Sequence, residues 1–388
     1  MRVVYFVHDL NDPAVMRRVQ MLRAGGLDVT ITGFWRGDAP TGAIEGVPVL
    51  PLGRTFDARL VQRGLAALRQ ILTARRLHAR LAPADLFVAR NLEMLAVAAA
   101  AARDIPIVYE ALDIHRLLLG RSAASILLRR VERALMKRAT LLLTSSPAFL
   151  RAYFQNPDFD RPPIPALVIE NRPLSLDNSP DSQEATDLPP GPPWHIGWFG
   201  MLRCRRSLGM LAELARRHPD LVRVRIFGRA ADPVRDTLDE LARKIPALEF
   251  GGAYEAADLT RLYAGVHFSW AIDYFEEGAN SEWLLPNRIY EAGSCNTVSL
   301  ALRRTETGRW LDARGLGVLL DNPQTELEAF LGKTAPVQYE SLKHAAATAP
   351  RSHFVADRSD CMRLAESLAD VARGTHCHTP QTVIRAAA

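Results

Sequence analysis

Residues 174–193, "LSLDNSPDSQEATDLPPGPP", interrupt a chain that otherwise alternates apolar runs with helical patterns. The stretch is polar, acidic and proline-rich, and it carries no hydrophobic period, which is the composition of a linker rather than of an element. It lies near the middle of 388 residues, more than one hydrophobic core usually serves. The alternation of strand and helix stops here and restarts afterwards. That restart decides the fold class: two α/β domains in one chain.

Before the linker, apolar runs stand at "RVVYFVH" (2–8), "DVTITGF" (28–34), "GVPVLPL" (46–52), "DLFVAR" (85–90), "PIVYEAL" (106–112), "LLLTSS" (141–146) and "ALVIENRP" (166–173). After it come "WHIGWFG" (194–200), "VRVRIFG" (222–228), "LEFGGA" (248–253), "VHFSWAI" (266–272), "TVSLAL" (297–302) and "GVLL" (317–320). The runs are continuous rather than alternating, as strands are when helices cover both faces of a parallel sheet. Two Rossmann-like doubly wound domains facing a cleft are therefore predicted, with ligands at the carboxyl ends of the strands. The boundaries are read as an N-terminal domain over 1–175, a linker over 176–193 and a C-terminal domain over 194–350. The segment 351–388 holds a helix from about Ala356 to Arg373, expected to pack back toward the N-terminal domain, and a tail.

Apolar residues make up 48% and charged residues 23%, a globular balance that excludes a disordered chain. A net charge of +5 and a pI of about 9.2, with arginine preferred over lysine, suit an anionic ligand or surface. No nucleic-acid motif accompanies that charge, and no nucleic-acid partner is expected. Cys204, Cys295, Cys361 and Cys377 are scattered without a CxxC, which fits free thiols in a reducing compartment. The opening "MRVVYFVHDL" is too short an apolar run for a signal peptide, and the alanine-rich Leu95–Ala102 is far below spanning length. A soluble, cytoplasmic protein is expected. No G-x-G-x-x-G follows a strand, so a nicotinamide or flavin cofactor is poorly supported.

Two stretches of the second domain carry chemistry. "GWFGMLRCRRSLGML" (197–211) places Gly200 in the turn after the first strand, then Arg203, Arg205 and Arg206 at the mouth of a helix. Backbone can approach a ligand closely at a glycine, and a helix start with arginines favours an anion such as a diphosphate. The other reading is a solvated basic helix start. "LLPNRIYEAGSCNTVSLAL" (284–302) begins a helix at Pro286, which leaves the N–H groups of residues 287–290 to meet a second phosphate, with Arg288 beside them. Glu291, a turn further, can accept hydrogen bonds from the vicinal diol of a ribose, or can serve as a capping acid.

These residues resemble the GT-B glycosyltransferases, specifically family 4 and its relatives. The resemblance rests on "GMLRCRRSL" (200–208), "RIFG" (225–228), "GGAYEAADLTRLYAGVHFSWA" (251–271) and "LPNRIYEAGSCNTVSLAL" (285–302). It extends over nearly the whole chain through "DPAVMRRVQMLRAGGLDVTITGF" (12–34), "VYEALDIH" (108–115) and "VIENRP" (168–173), and is nearest to bacterial exopolysaccharide enzymes of the succinoglycan type. In that family the last segment of the second domain reads P-x-K-x-x-E, and its acid binds the ribose of a nucleotide sugar. That role maps onto Glu291, with Arg288 in the place of the lysine.

The donor-binding set is then Gly200, Arg203, Arg206, Gly228, Tyr254, Asn280, Ser281, Glu282, Asn287, Arg288, Ile289 and Glu291. "FEEGANSE" (275–282) is expected to be the loop under the hexose, with Asn280 and Ser281 as partners for its hydroxyls. The chain departs from the family pattern in three places. Met201 stands where an arginine usually follows the glycine, Arg206 stands where a phosphate-binding lysine is expected, and Trp283 displaces the first of the usual two glutamates, leaving Glu282 as a contact to the sugar.

The first domain is expected to hold the acceptor. His8, Asp9 and Asp12 follow its first strand, and Glu110, Asp113 and His115 stand at the end of a later one. Family members often show Y-E-x-H-D here; this chain has Leu112 at the histidine, keeps Asp113 and gains His115. Asp113, with His115 second, can accept the proton of an incoming hydroxyl; the alternative is that both cap loops. Residues 54–80 carry Arg54, Arg59, Arg63, Arg69, Arg75, Arg76 and Arg80 against one acid, Asp57, with Val61, Leu65, Leu68 and Leu72 as an apolar stripe. Residues 116–138 carry Arg116, Arg121, Arg129, Arg130, Arg133, Lys137 and Arg138 against Glu132. Basic amphipathic helices of this kind can rest on anionic lipid, or can turn the stripe inward and solvate the arginines.

The reading is a hexosyltransferase that takes a nucleotide-diphosphate sugar, UDP favoured and GDP open, to a lipid-linked glycan acceptor at the inner face of a membrane. No cofactor and no metal are expected, because arginines and helix-end amides can neutralise the leaving diphosphate. The resemblance implies retention of configuration, whereas a base at Asp113 would suit inversion. A UDP-sugar 2-epimerase of the same fold and a non-catalytic nucleotide-sugar-binding partner are the alternatives.

Overall fold

A computed structural model of the chain describes residues 1–37, 42–56, 60–176, 188–375 and 382–383. Linker residues 177–187, Asp57, Arg59 and Cys377 lie outside the described residues. The chain divides into two compact units. The first runs from Met1 to Glu170 and takes in Leu174–Leu176 and the chain from Ala356 onward; the second holds Asn171–Pro173 and the chain from the linker to Val355. Residues 351–355 thus stay with the second unit, and the helix beyond them belongs to the first.

The first unit contains β1 (Arg2–Val7), α1 (Pro13–Ala24), β2 (Asp28–Trp35), β3 (Ala43–Ile44), β4 (Val47–Arg54), α2 (Leu60–Leu72), α3 (Ala74–Leu81), β5 (Leu86–Arg90), α4 (Leu92–Ala101), β6 (Ile107–Ala111), α5 (Arg116–Leu119), α6 (Ala123–Met136), β7 (Leu141–Thr144), α7 (Pro147–Phe149) and β8 (Ala166–Val168). The second contains β9 (Trp194–Leu202), α8 (Arg205–Arg217), β10 (Val222–Ala230), α9 (Asp232–Lys244), β11 (Leu248–Phe250), α10 (Leu259–Ala264), β12 (Phe268–Trp270), α11 (Asn280–Trp283), α12 (Asn287–Ser294), β13 (Val298–Leu302), α13 (Glu306–Asp312), β14 (Val318–Leu320), α14 (Pro323–Lys333) and α15 (Pro336–Thr348). α16 (Arg358–Arg373) and β15 (Thr382–Val383) complete the first unit.

The first sheet runs β15-β8-β7-β6-β5-β1-β2-β4-β3 and is parallel except for the β3–β4 hairpin. The second runs β11-β10-β9-β12-β13-β14, all parallel. Both are Rossmann-like and doubly wound. In each, the chain moves outward from its first strand and then returns to that strand's other side. The switch point falls between β1 and β5 in one unit and between β9 and β12 in the other, and a crevice opens there at the carboxyl ends of the strands.

The continuous apolar runs follow from burial on both faces. Val3–Val7 of β1 and every residue of β5, β6 and β13 are buried. α16 covers one face of the first sheet. Asp357 caps it by accepting from Ser359 N (2.8 Å) and Asp360 N (3.0 Å), and Gly374 closes it in the left-handed conformation. Its Cys361, Leu364 and Leu368 pack in the cluster that holds Val15, Val19 and Leu22 of α1. A fully buried leucine of this kind is worth about 1.5–3 kcal/mol.

Candidate functional site

Beside the switch point of the second unit, on the other edge of β9, β9 and β10 pair glycine to glycine, Gly200 with Gly228, at φ +108° and +146°. A Cβ on Gly228 would lie 1.8 Å from the Gly200 carbonyl oxygen, and one on Gly200 would lie 3.9 Å from Arg288 Nη2. Bare backbone therefore forms a floor under the Arg288 guanidinium, which also donates to Trp270 O at 3.3 Å. α12 brings Arg288 there. Pro286 is the extended residue just before α12 rather than its first helical residue, and Asn287 opens the helix half-buried.

Ile289 departs from its expected role. Its N–H donates to Pro286 O (3.1 Å), and its side chain is buried with Leu285, Tyr290 and Trp310, because an apolar residue on the inner face of α12 belongs to the core. Glu291 is half-buried on the same helix, and the fully buried Tyr263 donates its hydroxyl to Glu291 Oε2 at 3.1 Å. Burial first, then the Glu291 carboxylate, push the Tyr254 hydroxyl up to about 12, with Arg288 opposing. Tyr254, Arg288 and Glu291 thus share one polar neighbourhood beside the two glycines.

After β12 the chain forms a second cluster. Asp273 Oδ2 accepts from Arg203 Nη2 (3.3 Å) and from Ser281 Oγ (3.2 Å), and Arg203 lies over the Phe275 ring at 4.6 Å. Arg206 lies over Tyr274 at 4.0 Å and donates to Glu277 (3.0 Å), which also binds Arg304 (2.8 Å). Arg304 reaches Glu282 at 3.4 Å. Asn280 and Ser281 do not stand open to a ligand. Both are 5% exposed and hold their own loop: Asn280 Nδ2 donates to Glu276 (2.5 Å), and Ser281 Oγ accepts from Glu276 N (2.9 Å). A short polar side chain in a tight loop satisfies the loop's backbone first.

In the first unit the switch-point loops carry His8 and Asn91, whose Nδ1 and Nδ2 are 3.3 Å apart. Burial, then Arg90, Arg36 and Arg63, push His8 down to about 3, so it is a neutral imidazole at pH 7 and a weak base. Asp9 pairs with Arg36 (3.7 Å), and Asp12 caps α1 by accepting from Ala14 N (2.9 Å) while lying 3.8 Å from Arg90. Glu110 is not on the acceptor side. It is wholly buried, accepts from Arg18 Nε (2.8 Å) and from the Tyr5 hydroxyl, and lies 4.0 Å from Arg90. Burial would raise its carboxyl, but Arg18 and Arg90 outweigh that and hold it below the usual range.

Asp113 and His115 are exposed and line a cavity of about 620 Å³ together with His8 and Asn91. His115 also caps α5, its Nδ1 accepting from Leu117 N at 3.2 Å. Among the described residues no three His, Cys, Asp or Glu side chains gather as metal ligands, and no helix is long and apolar enough to cross a membrane.

Residues 12–171 match the family described as glycosyl transferase 4-like domain. Over 99% of its length the chain is 42% identical to the succinoglycan biosynthesis protein ExoL of Rhizobium meliloti (strain 1021), covering 96% of that protein. The chain belongs to the glycosyltransferase 4-like family. Its fold matches Anabaena HepE, solved with UDP and glucose, at TM-score 0.66 and 18% identity over 95% of this chain and 99% of that one. It matches sucrose-phosphate synthase from Thermosynechococcus elongatus at TM-score 0.67 and 12% identity, over 97% of each. The two-domain GT-B architecture of this glycosyltransferase is shared with both.

Tyr263, Asp273, Arg304 and Arg36 contact the candidate residues Glu291, Arg203, Glu282 and Asp9, yet carry no sequence signal that singles them out. Tyr263 sits in the run "LYAGVHF", which reads as helix end and strand start. Its polar tip matters only because α12 brings a carboxylate to it.

Proposed function

We propose that this glycosyltransferase transfers a hexose from a UDP-sugar to a hydroxyl of a lipid-linked glycan during assembly of a succinoglycan-like exopolysaccharide. The observation that carries the reading is the neighbourhood of Gly200, Gly228, Arg288 and Glu291 beside the switch point of the second sheet. There the glycine floor and Arg288 would meet a diphosphate, and Glu291 would accept from the ribose hydroxyls. Arg203 and Arg206, both part-exposed, would turn from Asp273 and Glu277 to the leaving phosphate, so that stabilising it needs no metal ion.

The relative at 42% identity is a succinoglycan biosynthesis protein, and the structural neighbour HepE was solved with UDP and glucose; both support the reading. Asp113 would face the acceptor hydroxyl in the first unit. Leu65, Leu68 and Leu72 of the predicted stripe are exposed, at 62%, 48% and 79%, beside arginines of α2 and α3; the side chain of Val61 lies outside the described residues. An outward stripe among cations supports peripheral contact with an anionic membrane face.

The test is calorimetric titration of UDP, GDP, UMP and UDP-glucose in EDTA. UDP is expected to bind at least about tenfold tighter than GDP, and Glu291→Ala to weaken UDP by about tenfold. Equal binding of UDP and GDP would remove the donor assignment, and unchanged UDP affinity in Glu291→Ala would remove the ribose assignment.

A further inference from the structure

α6 is turned against the usual amphipathic order. Beside Ser125 and Met136 it buries a carboxylate: Glu132 accepts from Tyr109 (3.0 Å), Arg161 (2.8 Å) and the Tyr153 hydroxyl in the interior. Its apolar residues Ile126, Leu127 and Val131 are meanwhile 42%, 63% and 43% exposed. α2 does the same with Leu65, Leu68 and Leu72. Two helices that both hold leucines in water, on one domain, mark a surface or groove with an apolar occupant.

Between them lies the 620 Å³ cavity, within the size range of small-molecule sites. Its apolar walls come from Leu68 and Ile71 of α2, Leu92 of α4, Leu118 of α5, and Leu128 and Val131 of α6. Leu68 and Val131 line it and also stand in solvent, so the cavity opens between α2 and α6. Its polar wall comes from His8, Asn91, Asp113 and His115, at the ends of β1, β5 and β6 where the acceptor is placed, with Arg36 and the Arg63–Glu93 pair beside them. α2 and α3 hold Arg69, Arg75, Arg76 and Arg80 with no acid of their own, Arg63 of α2 is paired with Glu93 of α4 at 2.6 Å, and the single acid of α6 is the buried Glu132.

We propose that this cavity takes the hydrocarbon chain of the acceptor, an isoprenoid or similar chain ending in a phosphate. The chain enters between Leu68 and Val131, the anionic phosphate is held by the cationic helices, and the glycan is left beside His8, Asn91 and Asp113. This rests on the lipid-linked acceptor of the preceding reading and names where its chain sits. An amphiphile with an anionic head matches both walls and the rim; a neutral apolar molecule matches only one.

The probe is dansyl-labelled farnesyl phosphate, with methyl phosphate as the chain-free and farnesol as the head-free comparison, read by fluorescence titration on the full chain. Farnesyl phosphate is expected to bind at least about tenfold tighter than either comparison. Ala67→Trp plants an indole in the cavity and should reduce that affinity about tenfold, and Leu68→Gln, at a half-exposed position that folding tolerates, by about threefold. Wild-type affinity in both variants would overturn the proposal. So would binding only to phosphatidylglycerol vesicles, which would make the helices a membrane patch, or loss of the site on self-association, which would make the occupant a second copy. UDP titration of the same proteins tests the donor reading separately, since that site lies in the other unit.

Discussion

The Tyr263 hydroxyl donates to Glu291 Oε2 at 3.1 Å, and Tyr263 is wholly buried. A half-buried carboxylate on a short helix has many rotamers; a rigid phenol beneath it selects one. Tyr263→Phe keeps the ring packed against Phe199 and removes that bond together with the longer one to Arg288 O at 3.5 Å. Losing a hydrogen bond to a charged group costs about 1.5 kcal/mol, so UDP and UMP should both bind about tenfold more weakly. In a Glu291→Ala background the same change should add nothing, because the tyrosine acts through the carboxylate. An additive loss in that cycle would show that Tyr263 acts on its own.

Glu110 belongs to the folding of the first unit. Arg18 at 2.8 Å, Tyr5 and Arg90 surround it with no water-exposed surface. Glu110→Ala strands two buried guanidinium groups, and breaking a buried pair from one side costs about 3–5 kcal/mol. Denaturant unfolding should show that loss, while UDP affinity of the folded protein stays at the wild-type value. Weakened farnesyl phosphate binding without loss of stability would return Glu110 to the acceptor side.

The strands were legible because burial on both faces leaves continuous apolar runs, and the proline-rich interruption separated the units. β3, a two-residue hairpin arm, is too short to leave a period. Periodicity showed that Leu65, Leu68 and Leu72 share a face but not which way it points. That direction depends on what else the helix can bury, and α6 buries Glu132 beside Ser125 and Met136 while Ile126, Leu127 and Val131 stay exposed. In the candidate site, the shared helix of Arg288 and Glu291 was legible because their spacing places both on one short helix. Ile289 was misjudged, since an apolar neighbour of Tyr290 is core by its chemistry. Glu110 was misjudged because its partner Arg18 is 92 positions away, and pairing at that range leaves no local signal.

Gly228 tests the glycine floor. At φ +146° an added Cβ would overlap the Gly200 carbonyl oxygen at 1.8 Å, and that atom is strand backbone that cannot rotate away. Gly228→Ala should therefore part β9 from β10 at their carboxyl ends, costing about 3 kcal/mol by strain and overpacking together. UDP affinity should fall with it, since the floor itself moves. Gly209→Ala, on α8 with open space at its Cβ, should leave UDP affinity unchanged and serves as the control.

His267 gives the fold a pH dependence with a definite sign. Its side chain is 2% exposed, its Nδ1 accepts from His195 N at 2.9 Å, and its Nε2 donates to Pro189 O at 3.1 Å, which fixes the neutral tautomer. Burial is the first cause that pushes it down, to about 4. In the unfolded chain a histidine titrates near 6.5, so between about pH 6.5 and 4 the unfolded state binds the extra proton. Stability from this group is therefore complete above about pH 6.5 and is lost as pH falls toward 4, because a proton on Nδ1 removes the acceptor of the His195 amide. Thermal unfolding between pH 7 and 4 should show a falling Tm. His267→Gln, whose amide offers a donor and an acceptor but does not titrate, should lower Tm at pH 7 and flatten its decline with acid. A slope unchanged in His267→Gln would move the acid sensitivity to other groups, His8 first, since it is held down to about 3 by burial and by Arg90.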